Sequence, residues 1–323
     1  MTIDTFPRLL GDIGGTNARF GWQTGPGTAP SDIATYACAD HASLLDAIRH
    51  DLAGRRDAAP RACAIGIANP VTGDQVRMTN HHWSFSIAAL RRDLGVERLA
   101  VVNDFTALAW SLPDLGASDL HAIGRGQAVP AAPMAVLGPG TGLGVSGLLP
   151  DGRGGHVPLT GEGGHVTLAA TDAREEAVLA QLRARFGHAS AERALSGPGL
   201  VNLYTAVCAI VGRTAQPLAP AEVIAQARDG GDPSCAEALD LFFSFLGNVA
   251  GNLALTIGAR GGVYVGGGIV PRLLCELERS AFRARFEGKG RFGGYLSEMP
   301  TRVITAAGAP ALLGASRALD AGT

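Results

Sequence analysis

Short apolar runs alternate along the chain with longer segments whose apolar residues recur every three or four positions. The runs at Arg8–Ile13, Arg61–Ala68, Arg98–Asn103, Met134–Gly138, Gly144–Leu149 and Gly262–Gly266 are bounded by glycine or polar residues and predict strands. Helical spacing covers Ser43–Leu52, Ser86–Leu94, Phe105–Ser111, Arg174–Phe186, Pro198–Val211 and Ala236–Ile257. Strands interleaved with helices in this way predict an α/β fold. One segment departs from the pattern. Ala238–Gly258 holds a single charge in 21 residues, with a Gly-x-x-x-Gly at Gly247 and Gly251. Its length would suit a membrane span. Asp240, Asn248 and Asn252 interrupt it, so the expectation is a helix buried inside a large domain, and no membrane partner.

Two strand ends share a further pattern. LLGDIGGT at Leu9 and VLGPGTGLG at Val136 each run from apolar residues into a Gly/Thr turn and then resume as a strand. Such turns present backbone N–H groups with no side chain in the way, as an anionic phosphate requires. Tight hairpins that need glycine for positive φ would read the same way. The P-loop pattern is absent, because the only lysine, Lys289, is followed by Gly290. A formal G-x-G-x-x-G at Gly142–Gly147 runs into LLPDGRGG and opens no helix, so it lacks the dinucleotide-binding context. No H-E-x-x-H or G-x-S-x-G occurs.

Composition narrows the classes. With 323 residues, 46% hydrophobic and 17% charged, the chain can bury a sizeable core and has room for two domains. A change of domain is expected near Pro113–Ala132, a stretch rich in Pro, Gly and Ala. A net charge of −2 without a basic stripe argues against nucleic acid as partner. The five cysteines form no C-x-x-C and read as reduced thiols of a cytoplasmic protein. No signal-peptide pattern opens the sequence.

Several polar residues are placed for chemistry. Asp12, in the first turn, would offset nucleotide charge through Mg²⁺, directly or through water, or would act as an Asx residue stabilising the turn. Asn103 and Asp104 end a β-branched run just before a helix, where ligands of α/β sheets collect. An ionised Asp104 can accept a hydroxyl proton, and it can equally cap the helix. Glu162 and His165 lie in TGEGGHVT, and Glu192 precedes a Ser-Gly-Pro-Gly junction. Acids and an imidazole on separate loops suit a polyhydroxylated ligand, although a surface Glu or a satisfied His is the commoner state of such residues. His81-His82-Trp83 reads as packing, and the basic, aromatic FRARFEGKGRFGGY at Phe282–Tyr295 as a solvated surface loop.

The segments GDIGGTNAR, NDFTALA, GPGTGLG, LTGEGGHV, SAERALSGPGLVNLY and GGVYVGGGIVPR stand in the order and spacing of the bacterial glucokinases. From about Leu9 to Leu313 the chain resembles the ATP-dependent, non-zinc type of the hexokinase–actin superfamily. The resemblance implies a ribonuclease H-like fold of two α/β domains, 1–112 plus 305–323 and 113–304, around a deep cleft. It implies a first phosphate loop of Gly11, Asp12, Ile13, Gly14, Gly15 and Thr16, and a second of Gly138, Gly140, Thr141 and Gly142. Gly266, Gly267 and Gly268 would lie against adenosine. Asn103, Asp104, Glu162, His165 and Glu192 would hold glucose, with Asp104 as catalytic base and ATP and Mg²⁺ as cofactors. A homodimer is the family habit. Thr160 stands where proline is frequent, and GAPALLGAS departs from the usual Pro-Gly ahead of Leu-Leu-Gly. Two alternatives differ in class. One is a kinase for another hexose; the other is a sugar sensor, whose helix-turn-helix would have no room ahead of Gly11.

Overall fold

The computed structural model describes residues 5–55, 59–306 and 308–322. They divide into two compact units, Met1–Gly116 with Pro158–Thr160 and Ala306–Thr323, and Ala117–Val157 with Gly161–Thr305.

The first unit runs β1 (Arg8–Ile13), β2 (Asn17–Gln23), β3 (Ser31–Ala37), α1 (Leu44–Ala53), β4 (Ala62–Ile67), β5 (Gln75–Arg77), β6 (Ser84–Ser86), α2 (Ile87–Leu94), β7 (Arg98–Asn103) and α3 (Asp104–Ser111). Its main sheet is ordered β3-β2-β1-β4-β7. Strand β1 is antiparallel to β2 and parallel to β4, which is parallel to β7. Every residue of β4 is buried, as expected of a parallel strand covered on both faces. The period of two separates those faces. Leu9, Ile13, Cys63, Ile65 and Ile67 join a core with Phe20, Trp22, Ile48 and Trp83. On the other face, Leu10, Ala62, Ala64 and Ala100 meet Ala107 of α3 and Leu312, Ala315 and Leu319 from near the C-terminus. Small residues there let helices approach the sheet closely.

The second unit runs β8 (Leu120–Ile123), β9 (Met134–Pro139), β10 (Leu143–Pro150), β11 (His156–Leu159, its last two residues grouped with the first unit), α4 (Ala173–Phe186), α5 (Gly197–Ile210), α6 (Pro220–Arg228), α7 (Pro233–Ile257), β12 (Gly262–Val265), α8 (Leu274–Arg279), α9 (Phe282–Glu287), α10 (Gly293–Ser297) and β13 (Thr301–Ile304). Its sheet is ordered β11-β10-β9-β12-β13-β8. The last helix, α11 (Pro310–Ala321), returns to the first unit, and Arg8 Nη1 donates to Ser316 Oγ at 2.7 Å to tie it to β1.

Helix α7 is long and apolar enough to cross a membrane, yet 78% of its most apolar window is buried within the structure, so it serves as a core helix. Its two glycines explain a correction. Phe282–Tyr295 is no solvated loop, because Phe282 and Phe286 are fully buried on α9. A Cβ on Gly247 would come within 2.1 Å of the Phe282 carbonyl oxygen, and one on Gly251 within 2.5 Å of that of Phe286. The Gly-x-x-x-Gly stripe is the groove that receives α9, and the intervening arginines make the segment look more polar than its buried face is. Cys38, Cys63, Cys208 and Cys235 are buried and Cys275 is exposed, all as free thiols.

Candidate functional site

In the first unit, register brings the candidate residues to one level. Ile13, Ile67 and Asn103 are consecutive partners across the parallel strands β1, β4 and β7, so the first Gly/Thr turn and Asn103 leave the sheet at the same carboxyl edge. Gly66 of β4 lies between them. A Cβ built on it would stand 3.6 Å from Asp104 Cα and 3.8 Å from the Gly11 carbonyl oxygen. The turn is tied down from outside. Thr16 O accepts from Cys38 N at 2.8 Å, Cys38 Sγ donates to Gly14 O at 3.4 Å, and Gly14 N donates to Asn17 O at 2.9 Å. None of Gly11, Gly14 or Gly15 has positive φ, so no left-handed turn requires glycine here, and a Cβ on Gly11 or Gly14 would make only ordinary contacts of 3.4 and 3.5 Å, whereas Gly15 is held closer. A Cβ on Gly15 would sit 3.0 Å from Asn80 Cβ.

Asp12 lies opposite Arg19 across the β1–β2 ladder, with Arg19 Nη1 3.7 Å from Asp12 Oδ2. Burial pushes its carboxyl above the ordinary carboxylate range, and the guanidinium only partly opposes this. A carboxylate that lacks close neutralising donors suits a hard divalent cation that keeps water and phosphate as its other ligands. No group of three or more His, Cys, Asp or Glu able to enclose a metal occurs among the described residues. The donor set therefore fits Mg²⁺ carried with a nucleotide and does not fit a protein-enclosed ion.

The cap of α3 resolves the choice between Asn103 and Asp104. Asn103 is the N-cap, with Oδ1 accepting from Phe105 N at 2.9 Å and Thr106 N at 3.2 Å. Asp104 is the first helical residue, and its Oδ1 accepts from Phe105 N at 2.9 Å. The expectation that Asp104 caps the helix fails, because the boundary falls one residue earlier.

In the second unit, β9 and β10 form an antiparallel hairpin around the second turn. Gly138 packs on Gly266 so tightly that a Cβ would lie 2.6 Å from the Gly266 carbonyl carbon. Gly267 has φ +82°, and a Cβ there would be 2.3 Å from Pro139 O. Gly266–Gly268 and Gly138–Gly142 thus form one continuous glycine surface. Ser196, the N-cap of α5, begins the helix beside it, and Gly197 N donates to Gly140 O at 2.8 Å. Glu192 touches the same turn. Its Oε2 accepts from Leu143 N at 2.9 Å and would be 2.4 Å from a Cβ on Gly142. Glu162 and His165 flank the short turn Gly163–His165 and are exposed. Ala191 N donates to Val166 O at 2.9 Å, and Thr167 bridges Ser190, which zips the Glu192 segment to the His165 segment.

The glucokinase family model matches residues 9–321. The chain belongs to the glucokinase family. It is 57% identical to a glucokinase of Aromatoleum aromaticum over 98% of this chain and 96% of that one. With a glucokinase of Chromobacterium violaceum it shares 54% identity over 96% and 88% of the two chains. The crystal structure of a glucokinase from an Antarctic psychrotroph matches over 98% of this chain and 99% of that chain, with 36% identity and a TM-score of 0.88.

Within this glucokinase-family fold, some positions that shape the site escaped the sequence reading. A Cβ on Gly164 would meet Leu143 O at 2.1 Å, and one on Gly163 would meet Val145 Cγ1 at 2.8 Å. Both glycines seat the Glu162–His165 turn on β10, directly after the second Gly/Thr turn. The adjacent pair in GEGGH was the available signal. Cys38, which fixes the first turn, carried none, since its partner Gly14 is remote in sequence.

Proposed function

We propose that the protein is an ATP-dependent glucokinase, transferring the γ-phosphoryl of ATP to the 6-hydroxyl of glucose. The observation that carries this reading is the common level at which the Asp12 turn, Asn103 and Asp104 stand at the carboxyl edge of the sheet. Asp104 takes the hydroxyl proton as the sugar oxygen attacks phosphorus. Only Oδ1 of Asn103 is engaged in the cap, so its amide hydrogens can donate to a neighbouring sugar hydroxyl. Glu162, His165 and Glu192 hold the remaining hydroxyls. The amides of Gly11–Thr16 and Gly138–Gly142 hold the phosphates, and Gly266–Gly268 lie against the adenosine. Asp12 holds Mg²⁺, directly or through water. That ion, when bound, offsets charge on the phosphate oxygens, a task left to backbone dipoles and metal where no P-loop lysine exists.

A homodimer acting in the cytoplasm completes the reading, and sedimentation equilibrium tests the dimer. The deciding experiment is ADP release with MgATP and a panel of hexoses, run beside Asp104→Asn. Glucose-dependent turnover is expected, with kcat falling by about 10²–10⁴-fold in the variant while glucose affinity holds. A near-normal kcat in Asp104→Asn would remove Asp104 as the base. Preference for another hexose would replace glucose as the acceptor.

A further inference from the structure

The segment Met78–Trp83, whose last three residues His81-His82-Trp83 read as packing in the sequence, forms the tip between the paired strands β5 and β6. It is fixed at both ends. Met78 N donates to Trp83 O at 3.0 Å, closing the tip. Thr79 donates twice to the Oδ1 of buried Asn69, from its N at 3.0 Å and its Oγ1 at 2.8 Å. Asn69 stands two residues after β4, and the intervening Ala68 N donates to Ile13 O at 2.8 Å, so the tip is tied to the end of β1 where the first Gly/Thr turn begins. At the other end Trp83 is buried, and its Nε1 donates to His41 O at 3.0 Å. His81 stacks edge-on against Trp83, ring centroids 4.8 Å apart.

Asn80 is what this frame presents to the turn. A Cβ on Gly15 would lie 3.0 Å from Asn80 Cβ and 3.3 Å from Asn80 O. Asn80 is exposed, and its side-chain amide has no hydrogen-bond partner among the described residues. A neutral amide offers two donors without bringing a fixed charge. The chain's only lysine, Lys289, donates to Asn248 O at 3.2 Å.

We propose that Asn80 is a phosphate-contacting residue, its Nδ2–H group donating to an oxygen of the terminal phosphoryl group held at Gly14–Thr16. The proposal rests on the kinase reading above. A rigid tip places the donor in advance, and a donor held in place is worth most where negative charge grows during transfer.

The test compares Asn80→Asp, Asn80→Ala and Asn80→Ser in steady-state kinetics, with MgATP and glucose affinities measured by calorimetry and Tm by thermal melts. Asn80→Asp keeps the shape and sets a carboxylate against phosphate, so kcat/KM for ATP should fall by about 10²-fold or more. Asn80→Ala should lose about tenfold and Asn80→Ser less, because the hydroxyl restores a donor. Glucose affinity should stay within about twofold throughout. A packing role would instead make Asp the mildest change and would lower Tm and both affinities together. That pattern, or wild-type kinetics in both Asp and Ala variants, would overturn the proposal. Turnover by the wild type in the same assay bears on the kinase reading alone. Should the wild type turn over no sugar, unchanged MgATP affinity in Asn80→Asp would still overturn the role of Asn80, and a loss of about tenfold or more would support it.

Discussion

Replacing Gly314 by alanine should disturb the reaction from a position that touches no substrate. Gly314 lies in α11 where that helix crosses α3, and a Cβ there would stand 1.6 Å from the Ala107 carbonyl oxygen, 2.7 Å from its carbon and 3.1 Å from Ser111 N. All three atoms belong to helix backbone, so no rotamer change relieves the overlap. Contacts of real Cβ atoms essentially never fall below 3.0 Å, so moving from 1.6 to 3.0 Å requires the helices to part by at least 1.4 Å locally. Helix α3 has little room to yield on its other side. Ala107 Cβ already stands 3.0 Å from the Cβ position of Gly66, which is also 3.6 Å from Asp104 Cα. Overpacking of this kind costs about 1–3 kcal/mol, and the upper end applies where backbone meets backbone. Asp104 sits one turn before Ala107 on the same helix, and a misplacement of about 1 Å at a reacting group costs about 10²-fold in rate. The assay is coupled ADP release, with KM for both substrates and a thermal melt. Gly314→Ala should lower Tm and reduce kcat by roughly tenfold to 10²-fold, with both KM values changing little. If that variant does not fold, Gly66→Ala tests the same seat, and adding Ala107→Gly should recover kcat by removing the 3.0 Å contact. Unchanged kcat and Tm in Gly314→Ala would refute the reasoning that α11 sets the position of the base.

The two roles of Asn103 separate by substitution. Asn103→Ala loses the cap and should cost about 0.5–2 kcal/mol of stability as well as glucose affinity, whereas Asn103→Asp keeps a capping oxygen and should hold Tm while raising KM for glucose. Equal Tm losses in the two variants would contradict the assignment. Asp12 supplies the pH prediction. Its folded-state pKa is raised by burial, so the folded protein carries a penalty that is absent below the ordinary value of 3.8, grows as pH rises through the folded pKa, and is complete above it. Asp12→Asn should therefore raise Tm at neutral pH by an amount that shrinks toward pH 4, while turnover and apparent Mg²⁺ affinity fall. A lower Tm at neutral pH in Asp12→Asn would reverse this account.

Much of the scaffold is legible as local periodicity. The six strands and six helices expected from apolar spacing are all present, with ends shifted by a few residues at most. Strand β3, SDIATYA, was not legible, because it is an edge strand with five of its seven residues exposed and carries no apolar alternation strong enough to announce it. Phe282 and Phe286 do stand four apart, the spacing of one helical face, but the arginines between and beside them masked it. The Asn103–Asp104 pair offers two adjacent capping residues, and sequence cannot place a helix boundary to within one residue.

The order of apolar and polar positions along the chain determined that two Gly/Thr turns follow strands and that acids gather near strand ends and loops. That information is local, because a strand or helix repeats within a few residues. What each glycine is for was decided by tertiary structure. Gly138 against Gly266, Gly247 against Phe282 and Gly314 against Ala107 are contacts between segments far apart in sequence. The missing side chain in each case admits a specific piece of remote backbone. Whether Asn103 or Asp104 caps α3, and whether Asn80 faces the first turn, depend likewise on where folded segments meet. Sequence periodicity carries no record of such meetings, since close packing is a property of surfaces brought together only by folding.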